Sequence, residues 1–262
     1  MKITFIGAGN MGGAMAHGLY QTDIFQPQDI TCTAHTQNTL DARLAQMPGI
    51  NVTTNNVEAV KDADIVVLAV KPWLIQDVIE QIKPALNPSK QIIISVAAGI
   101  GTDKLQPMLK KDGVNPAIFY MIPNTAIDVK CSMTFYVPCN ASEQQITMIH
   151  EMMQQVGGCM RVTEKQMPAC IALASCGIAY AFRYIRAAME GGVELGLYPR
   201  DAQAIVANTV KGAAELLLQH KTHPEQEIDC VTTPGGLTIK GLNAMEEAGF
   251  TNSVIKGLKA GR

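Results

Sequence analysis

Two glycine-rich stretches at opposite ends of the chain carry the residue types from which anion sites are built. In "FIGAGNMG" (Phe5–Gly12), Gly7, Gly9 and Gly12 follow a short apolar run, Ile3–Ile6, at GxGxxG spacing. Gly7 permits a tight turn, Gly9 lets the backbone approach a pyrophosphate, and Gly12 lets the next helix pack against the strand. The amides around Asn10 and Met11 then face the anion at the positive end of that helix. In "VTTPGGLTIKG" (Val231–Gly241), Pro234-Gly235-Gly236 breaks the chain before a helical run, Leu237–Glu247. Thr233 and Thr238 bracket the break, and no acidic residue falls between Asp229 and Glu246. Amides and neutral hydroxyls at a helix start suit a carboxylate beside a group that needs a mild donor. Taken alone, the stretch is equally a capped turn before a helix.

The first motif asks for a nucleotide. An NAD site usually carries an Asp or Glu at the end of the second strand, roughly 20 residues on. That position here reads "TCTAHTQNT" (Thr31–Thr39), without an acid. His35, Thr36 and Asn38 can donate to a 2′-phosphate, and Arg43 lies about one turn into the following helix. NADPH is therefore predicted, with NADH the weaker alternative. Thr36 or Asn38 serves equally as a helix N-cap, and the two roles use the same donors. "LAVKPW" (Leu68–Trp73) puts Ala69, Val70, Lys71 and Pro72 at the end of a central strand, where ligands meet an open α/β sheet. Lys71 either faces the cofactor or is a solvated lysine beside a helix-starting proline.

These residues need a scaffold. Strands are predicted at Ile3–Ile6 and Ile30–Ala34, and in "DIVVLAV" (Asp64–Val70) and "QIIISVA" (Gln91–Ala97), with helices over Met11–Tyr20 and Asn38–Gln46. The last two strand runs are continuously apolar and β-branched, as in parallel strands buried on both faces. "AIFYMI" and "MTFYV" are predicted as edge strands and "CMRVT" as the last strand. Beyond it the pattern is helical: from about Glu164–Pro168 to Leu195, Pro199 to His220, Glu225–Cys230 and Leu237–Glu247, then a tail to Arg262. The fold class is α/β: an N-terminal Rossmann-type doubly wound sheet (1–163), then an all-α C-terminal dimerisation domain (164–262). Gln166–Phe182 contains no charged side chain. A helix apolar all round is buried all round, and a second copy of the chain is the simplest cover.

Composition narrows the class. With 21 basic and 23 acidic residues in 262, the chain has no electrostatic footprint for nucleic acid. Its 7 cysteines lack CxxC spacing, so neither a disulfide framework nor a metal site is predicted. No signal peptide is recognised, and the longest apolar run, Ala169–Phe182, is short for a bilayer. A cytoplasmic protein without membrane or nucleic-acid partners is expected.

Along essentially its whole length the chain resembles the Δ1-pyrroline-5-carboxylate reductase family. The resemblance is carried by "FIGAGNMGGAMAHGL", "DIVVLAVKP", "SVAAGI", "PNT" (Pro123–Thr125), "GGVELGL", "TVKGAAELL" and above all "VTTPGGLTIKGL". It implies an oxidoreductase of proline biosynthesis that uses NADPH to reduce a cyclic imine carboxylate to L-proline, its substrate pocket at a homodimer interface. It further implies that Thr233 and the amides of Gly235, Gly236 and Leu237 hold the substrate carboxylate. Thr238 would hydrogen-bond the ring nitrogen, and Asn56 would contact the cofactor's ribose. The chain departs from the family at Ser175-Cys176-Gly177-Ile178-Ala179-Tyr180, where Gly-Ser-Gly-Pro-Ala-Tyr is usual, and at Tyr120, Ile122 and Ala126. A related class of reductases, acting on β-hydroxy acids or ketoacids, needs a lysine on the first long interdomain helix; Gln166–Phe182 has none. A non-catalytic NADP-binding scaffold is the reading from outside enzymology, and nucleotide binding without turnover distinguishes it.

Overall fold

The computed structural model describes residues 1–261, and they form two compact units, Met1–Ser175 and a second beginning at Cys176. The first unit runs β1 (Ile3–Ile6), α1 (Asn10–Tyr20), β2 (Ile30–Thr33), α2 (Gln37–Gln46), β3 (Asn51–Thr53), α3 (Asn56–Val60), β4 (Ile65–Leu68) and α4 (Ile75–Ile82). It continues through β5 (Ile92–Ser95), α5 (Thr102–Leu109), β6 (Ala117–Ile122), β7 (Ser132–Cys139), α6 (Glu143–Gln154), β8 (Gly157–Arg161) and α7 (Met167–Cys170).

One sheet has the order β3-β2-β1-β4-β5-β6-β7-β8. β6 and β7 pair antiparallel; every other neighbouring pair is parallel. The strand order reverses between β1 and β4, and crevices at such reversals hold the ligands of open α/β sheets. The apolar runs divide by alternation between two cores. Phe5, Ile65, Val67, Ile92 and Ile94 bury on one face with Met15 and Leu19 of α1. Ile6, Val66, Leu68 and Ile93 bury on the other with Ile75 and Ile79 of α4. Burial on both faces is what makes β1, β4 and β5 uninterrupted in sequence.

Three expectations are corrected. β6 and β7 are interior, because β8 extends the sheet and leaves β3 and β8 at the edges. β3 was not anticipated. The last strand starts at Gly157 rather than Cys159, with Gly157 (φ 135°) so close to Ser132 of β7 that a Cβ there would overlap its backbone. The compact unit itself runs on to Ser175, with Met167 buried against residues of α4 and α5.

Burial fixes the ionisation of Cys32 on β2. Its thiol is pushed up from 9.0 to about 12 by desolvation, which the Arg43 guanidinium offsets only in part. The folded state keeps a proton that the unfolded chain releases, so this contribution is intact below pH about 9 and lost as pH rises toward 12. Maleimide at pH 8 should label the exposed Cys131 and Cys230 and spare Cys32 until the chain unfolds. Labelling of Cys32 at the rate of Cys131 would contradict this burial.

The second unit is helical: α8 (Gly177–Glu194), α9 (Pro199–His220), α10 (Pro224–Cys230), α11 (Leu237–Glu247) and α12 (Phe250–Ala260). α12 replaces the expected tail; Arg262 lies outside the described residues. The helical stretch Met167–Glu194 passes through a π-turn at Ile171–Ser175. At 28 residues, with a mean hydropathy of 1.3 over its most apolar window, it is long and apolar enough to cross a bilayer. The helix continues beyond the apolar run that ends at Phe182, and the criterion is one of length and composition only. The unit has almost no core of its own: α8, α10, α11 and α12 bury no residue, and Ala202 is the one buried residue of α9. Tyr180, Arg183, Tyr184, Met245, Phe250 and Val254 line an open groove of about 540 Å³.

Candidate active site

The glycine turn after β1 is built from backbone. Gly7 has φ 92° and donates to the Thr33 carbonyl (3.2 Å) and hydroxyl (3.3 Å), while Ala8 donates to the same carbonyl at 2.7 Å. A Cβ on Gly7 would press on the Val70 side chain and the Ala69 carbonyl. A Cβ on Gly12 would overlap the Gly7 carbonyl and lie 2.8 Å from the Ala69 methyl. Gly9, by contrast, faces open space and is the N-cap of α1, with no side-chain cap and no acidic residue in the first turn. The N–H groups of Asn10, Met11 and Gly12 precede the first intrahelical partner and are left for an anion.

Beside this turn lies a cleft of about 470 Å³. Of the residues expected at the cofactor, Gly7, His35, Asn56 and Val70 line it. Gly9, Asn10, Met11 and Gly12 form the turn and helix start. Ala69 backs Gly7 and Gly12, and its N–H donates to the Ile6 carbonyl at 2.9 Å. Thr36 is the N-cap residue of α2, but its hydroxyl meets that of Thr39 at 2.9 Å instead of capping. Lys71 is exposed and precedes the 3-10 turn Pro72–Leu74. Among the described residues, Thr36, Lys71 and Pro72 are not in the cleft wall.

Thr33, Ala34, Thr54, Leu74, Val78 and Gln81 also line the cleft and were missed. Thr33 was available from strand pairing, since it pairs with Ile6 immediately before the glycine turn. A chain of hydrogen bonds crosses this wall: the Thr33 hydroxyl donates to Asn56 Oδ1 (2.6 Å), and Asn56 Nδ2 donates to Gln81 Oε1 (2.9 Å). Among the described residues, no carboxylate lines the cleft. The glycine cradle, the open face at Gly9 and the lack of negative charge fit a dinucleotide carrying an extra phosphate.

Further along the carboxyl edge, the register carries Leu68 to Ser95 and Ser95 to Tyr120. Tyr120, buried and at a family departure, accepts the Gly99 N–H on its hydroxyl at 3.1 Å. Burial pushes its phenol pKa up.

The second unit holds the other glycine motif. The Gly236 N–H donates to the Thr233 carbonyl at 2.9 Å, closing a turn whose third residue, Gly235, has φ 71°. That is a type II turn with Pro234 at its second position, which explains why Pro-Gly stands there. The Thr233 hydroxyl lies against the α-carbon of Gly236, where a Cβ would strike it. The Gly236 amide is thus engaged in closing the turn. The first turn of α11, with N-cap Gly236 and no acidic residue, presents unpaired amides from Leu237 onward. Thr233, Gly235, Leu237 and Thr238 are exposed. Near the start of α8, Cys176 Sγ donates to the Gly261 carbonyl at 3.8 Å and the Tyr180 hydroxyl donates to the Gly257 carbonyl at 3.3 Å. Cys176 thus keeps a weak version of a serine's donor role.

Residues 164–262 match the family model for pyrroline-5-carboxylate reductase dimerisation, and residues 2–99 match that for coenzyme F420-dependent NADP oxidoreductase. A pyrroline-5-carboxylate reductase of Dictyostelium discoideum is 37% identical over 98% of the chain, which spans 48% of that longer protein. A second from the same organism is 35% identical over 98% of the chain and 89% of its own length. Among solved structures, Plasmodium falciparum pyrroline carboxylate reductase with NADP bound superposes with a TM-score of 0.86 at 26% identity, covering 100% of this chain and 95% of that one. The dimerisation match accounts for a helical unit without a core: Phe182, Tyr198, Leu218 and Leu237 are exposed in a single copy.

Proposed function

The chain belongs to the pyrroline-5-carboxylate reductase family, and from that premise we infer how its residues divide the reduction of Δ1-pyrroline-5-carboxylate to L-proline. The observation that carries the reading is that each of the two glycine motifs opens an acid-free, glycine-capped helix, α1 in the first unit and α11 in the second. When bound, the reduced nicotinamide supplies hydride to the carbon of the C=N bond.

In the first unit, Gly7, Gly9 and Gly12 bring the α1 amides to the pyrophosphate, and Ala69–Pro72 border the dinucleotide where β4 ends. Asn56 and His35 meet the adenosine ribose from the cleft wall, with Thr36 nearby at the head of α2. NADPH is the preferred donor, because nothing in the wall repels a 2′-phosphate. In the second unit, Thr233, the exposed Gly235 backbone and the Leu237 amide hold the substrate carboxylate at the positive end of α11. The Gly236 amide supports that site indirectly by closing its turn. The Thr238 hydroxyl hydrogen-bonds the ring nitrogen, accepting its N–H where the imine is protonated and donating to its lone pair where it is neutral, as the carbon accepts hydride. A protonated cyclic imine is already electrophilic, so positioning contributes more than strong acid catalysis. The cofactor domain is assigned to 1–163 and the substrate and dimerisation domain to 164–262, with a homodimer as the minimal assembly and the cytoplasm as the location. The reading requires neither nucleic acid nor membrane.

The test is NADPH oxidation, followed by nicotinamide absorbance, with the cyclic imine, against NADH and a 2-ketoacid as controls. Imine-dependent turnover is expected; tight NADPH binding without turnover would favour the scaffold reading. Thr233→Ala should raise KM for the imine about tenfold, with a smaller effect on kcat, as loss of a hydrogen bond to a charged group predicts. An unchanged KM would remove Thr233 from the carboxylate site.

A further inference from the structure

We propose that Gln81, on the outer wall of the nucleotide cleft, is a specificity-determining residue for the 2′-phosphate of NADPH; this rests on the NADPH reading above. In a Rossmann-type domain the residues just after β2 meet the ribose 2′ position. Here β2 ends at Thr33, and Ala34 and His35 line the same cleft as Gln81. Gln81 lies near the end of α4 and reaches the cleft from a different element.

Its polarity toward the cleft is set by its neighbours. The Gly7 N–H reaches Thr33 Oγ1 at 3.3 Å, so that hydroxyl's own proton is free to go to Asn56 Oδ1, 2.6 Å away. With its oxygen engaged, Asn56 offers Nδ2 to Gln81 Oε1 at 2.9 Å. Gln81 therefore turns its carbonyl oxygen toward the protein, and among the described residues no acceptor meets its Nε2. Two N–H groups remain for an acceptor-only ligand group, in a wall that holds no carboxylate among the described residues. A phosphate dianion is such a group and takes these N–H groups in charge-assisted bonds, whereas the neutral 2′-hydroxyl of NADH gains at most a weaker neutral one. The same chain of bonds ties this wall to Gly7, so the end that reads the ribose and the turn that holds the pyrophosphate are one network.

Gln81→Glu is the discriminating variant. It preserves shape and an acceptor for Asn56 Nδ2, removes both donors, and adds a carboxylate to a wall that has none among the described residues. The dissociation constants of NADP⁺ and NAD⁺ are measured by calorimetry on the full-length protein, with Gln81→Met as an uncharged second variant. NADP⁺ should weaken by about tenfold or more in Gln81→Glu and by a few-fold in Gln81→Met. NAD⁺ should change less than about twofold in both. NADP⁺ affinity unchanged in Gln81→Glu would overturn the proposal, as would equal weakening of NADP⁺ and NAD⁺, which a merely structural role produces. Wild-type protein that binds NADP⁺ no better than NAD⁺ would overturn both this proposal and the NADPH preference. Because the readout is binding, a chain that binds NADP⁺ yet fails to reduce the imine would defeat the reductase reading alone, with the two variants still deciding the role of Gln81.

Discussion

Thr238→Ala should lower kcat for imine reduction by about 10²-fold while NADPH affinity stays within about twofold of the parent. Thr238 occupies the second position of α11, and its hydroxyl makes no hydrogen bond among the described residues. The fold has no use for that hydroxyl, and exchanging an exposed, β-branched helical residue for alanine slightly favours the helix. The variant should therefore melt at or slightly above the parent temperature, so a rate loss cannot be ascribed to unfolding. A hydroxyl on the ring nitrogen matters most as the π pair of the C=N bond falls to nitrogen, so the loss belongs in kcat rather than in KM. Thr238→Ser, which keeps the hydroxyl, should recover most of the rate. Steady-state kinetics with both variants decides the matter: equal kcat in Thr238→Ala and the parent would exclude Thr238 from the mechanism.

The parts of the fold legible in sequence are those where one residue type has a single physical use. β1, β4 and β5 stood out because strands buried on both faces admit almost nothing polar, and the glycine turn because its function lies in missing side chains. β3 was invisible: Asn51–Thr53 is a three-residue strand at a sheet edge, half exposed, with no apolar run to mark it. α12 did leave a trace, with Phe250, Val254 and Leu258 at four-residue spacing, but Thr251-Asn252-Ser253 makes the stretch resemble a polar tail. The positions of β6 and β7 could not be read because sheet order depends on which strand β8 joins, and that is settled by contacts distant in sequence. The same limit applies to the cleft. Thr33 ends β2, Leu74 immediately precedes α4, and Val78 and Gln81 lie on α4, so the strand order is needed to bring the two elements around Asn56. At the second motif the glycines were legible as punctuation, while the commitment of the Gly236 amide to the Thr233 carbonyl required the turn itself.

Gly12→Val should abolish measurable NADPH binding, weakening it by more than about 10²-fold, and should cost the first unit roughly 1–3 kcal/mol of stability. The two effects share a cause. The Cβ of residue 12 would occupy the space of the Gly7 carbonyl, with the Ala69 methyl 2.8 Å away on the other side, so neither neighbour can move without disturbing the other. Relief requires α1 to lift from β1 and β4, or Gly7 to leave φ 92°, where its amide meets Thr33. Either movement displaces the α1 amides from the pyrophosphate and breaks the first link of the Gly7–Thr33–Asn56–Gln81 chain. Gly9→Ala provides the contrast, because its Cβ would enter open space and meet no protein atom. Its stability should match the parent while NADPH binding weakens, since the methyl stands where the phosphate must approach. Thermal melts and nucleotide titrations on both variants separate close packing at residue 12 from ligand access at residue 9. A Gly12→Val protein that melts with the parent and binds NADPH normally would mean that the glycine turn is not the cofactor cradle.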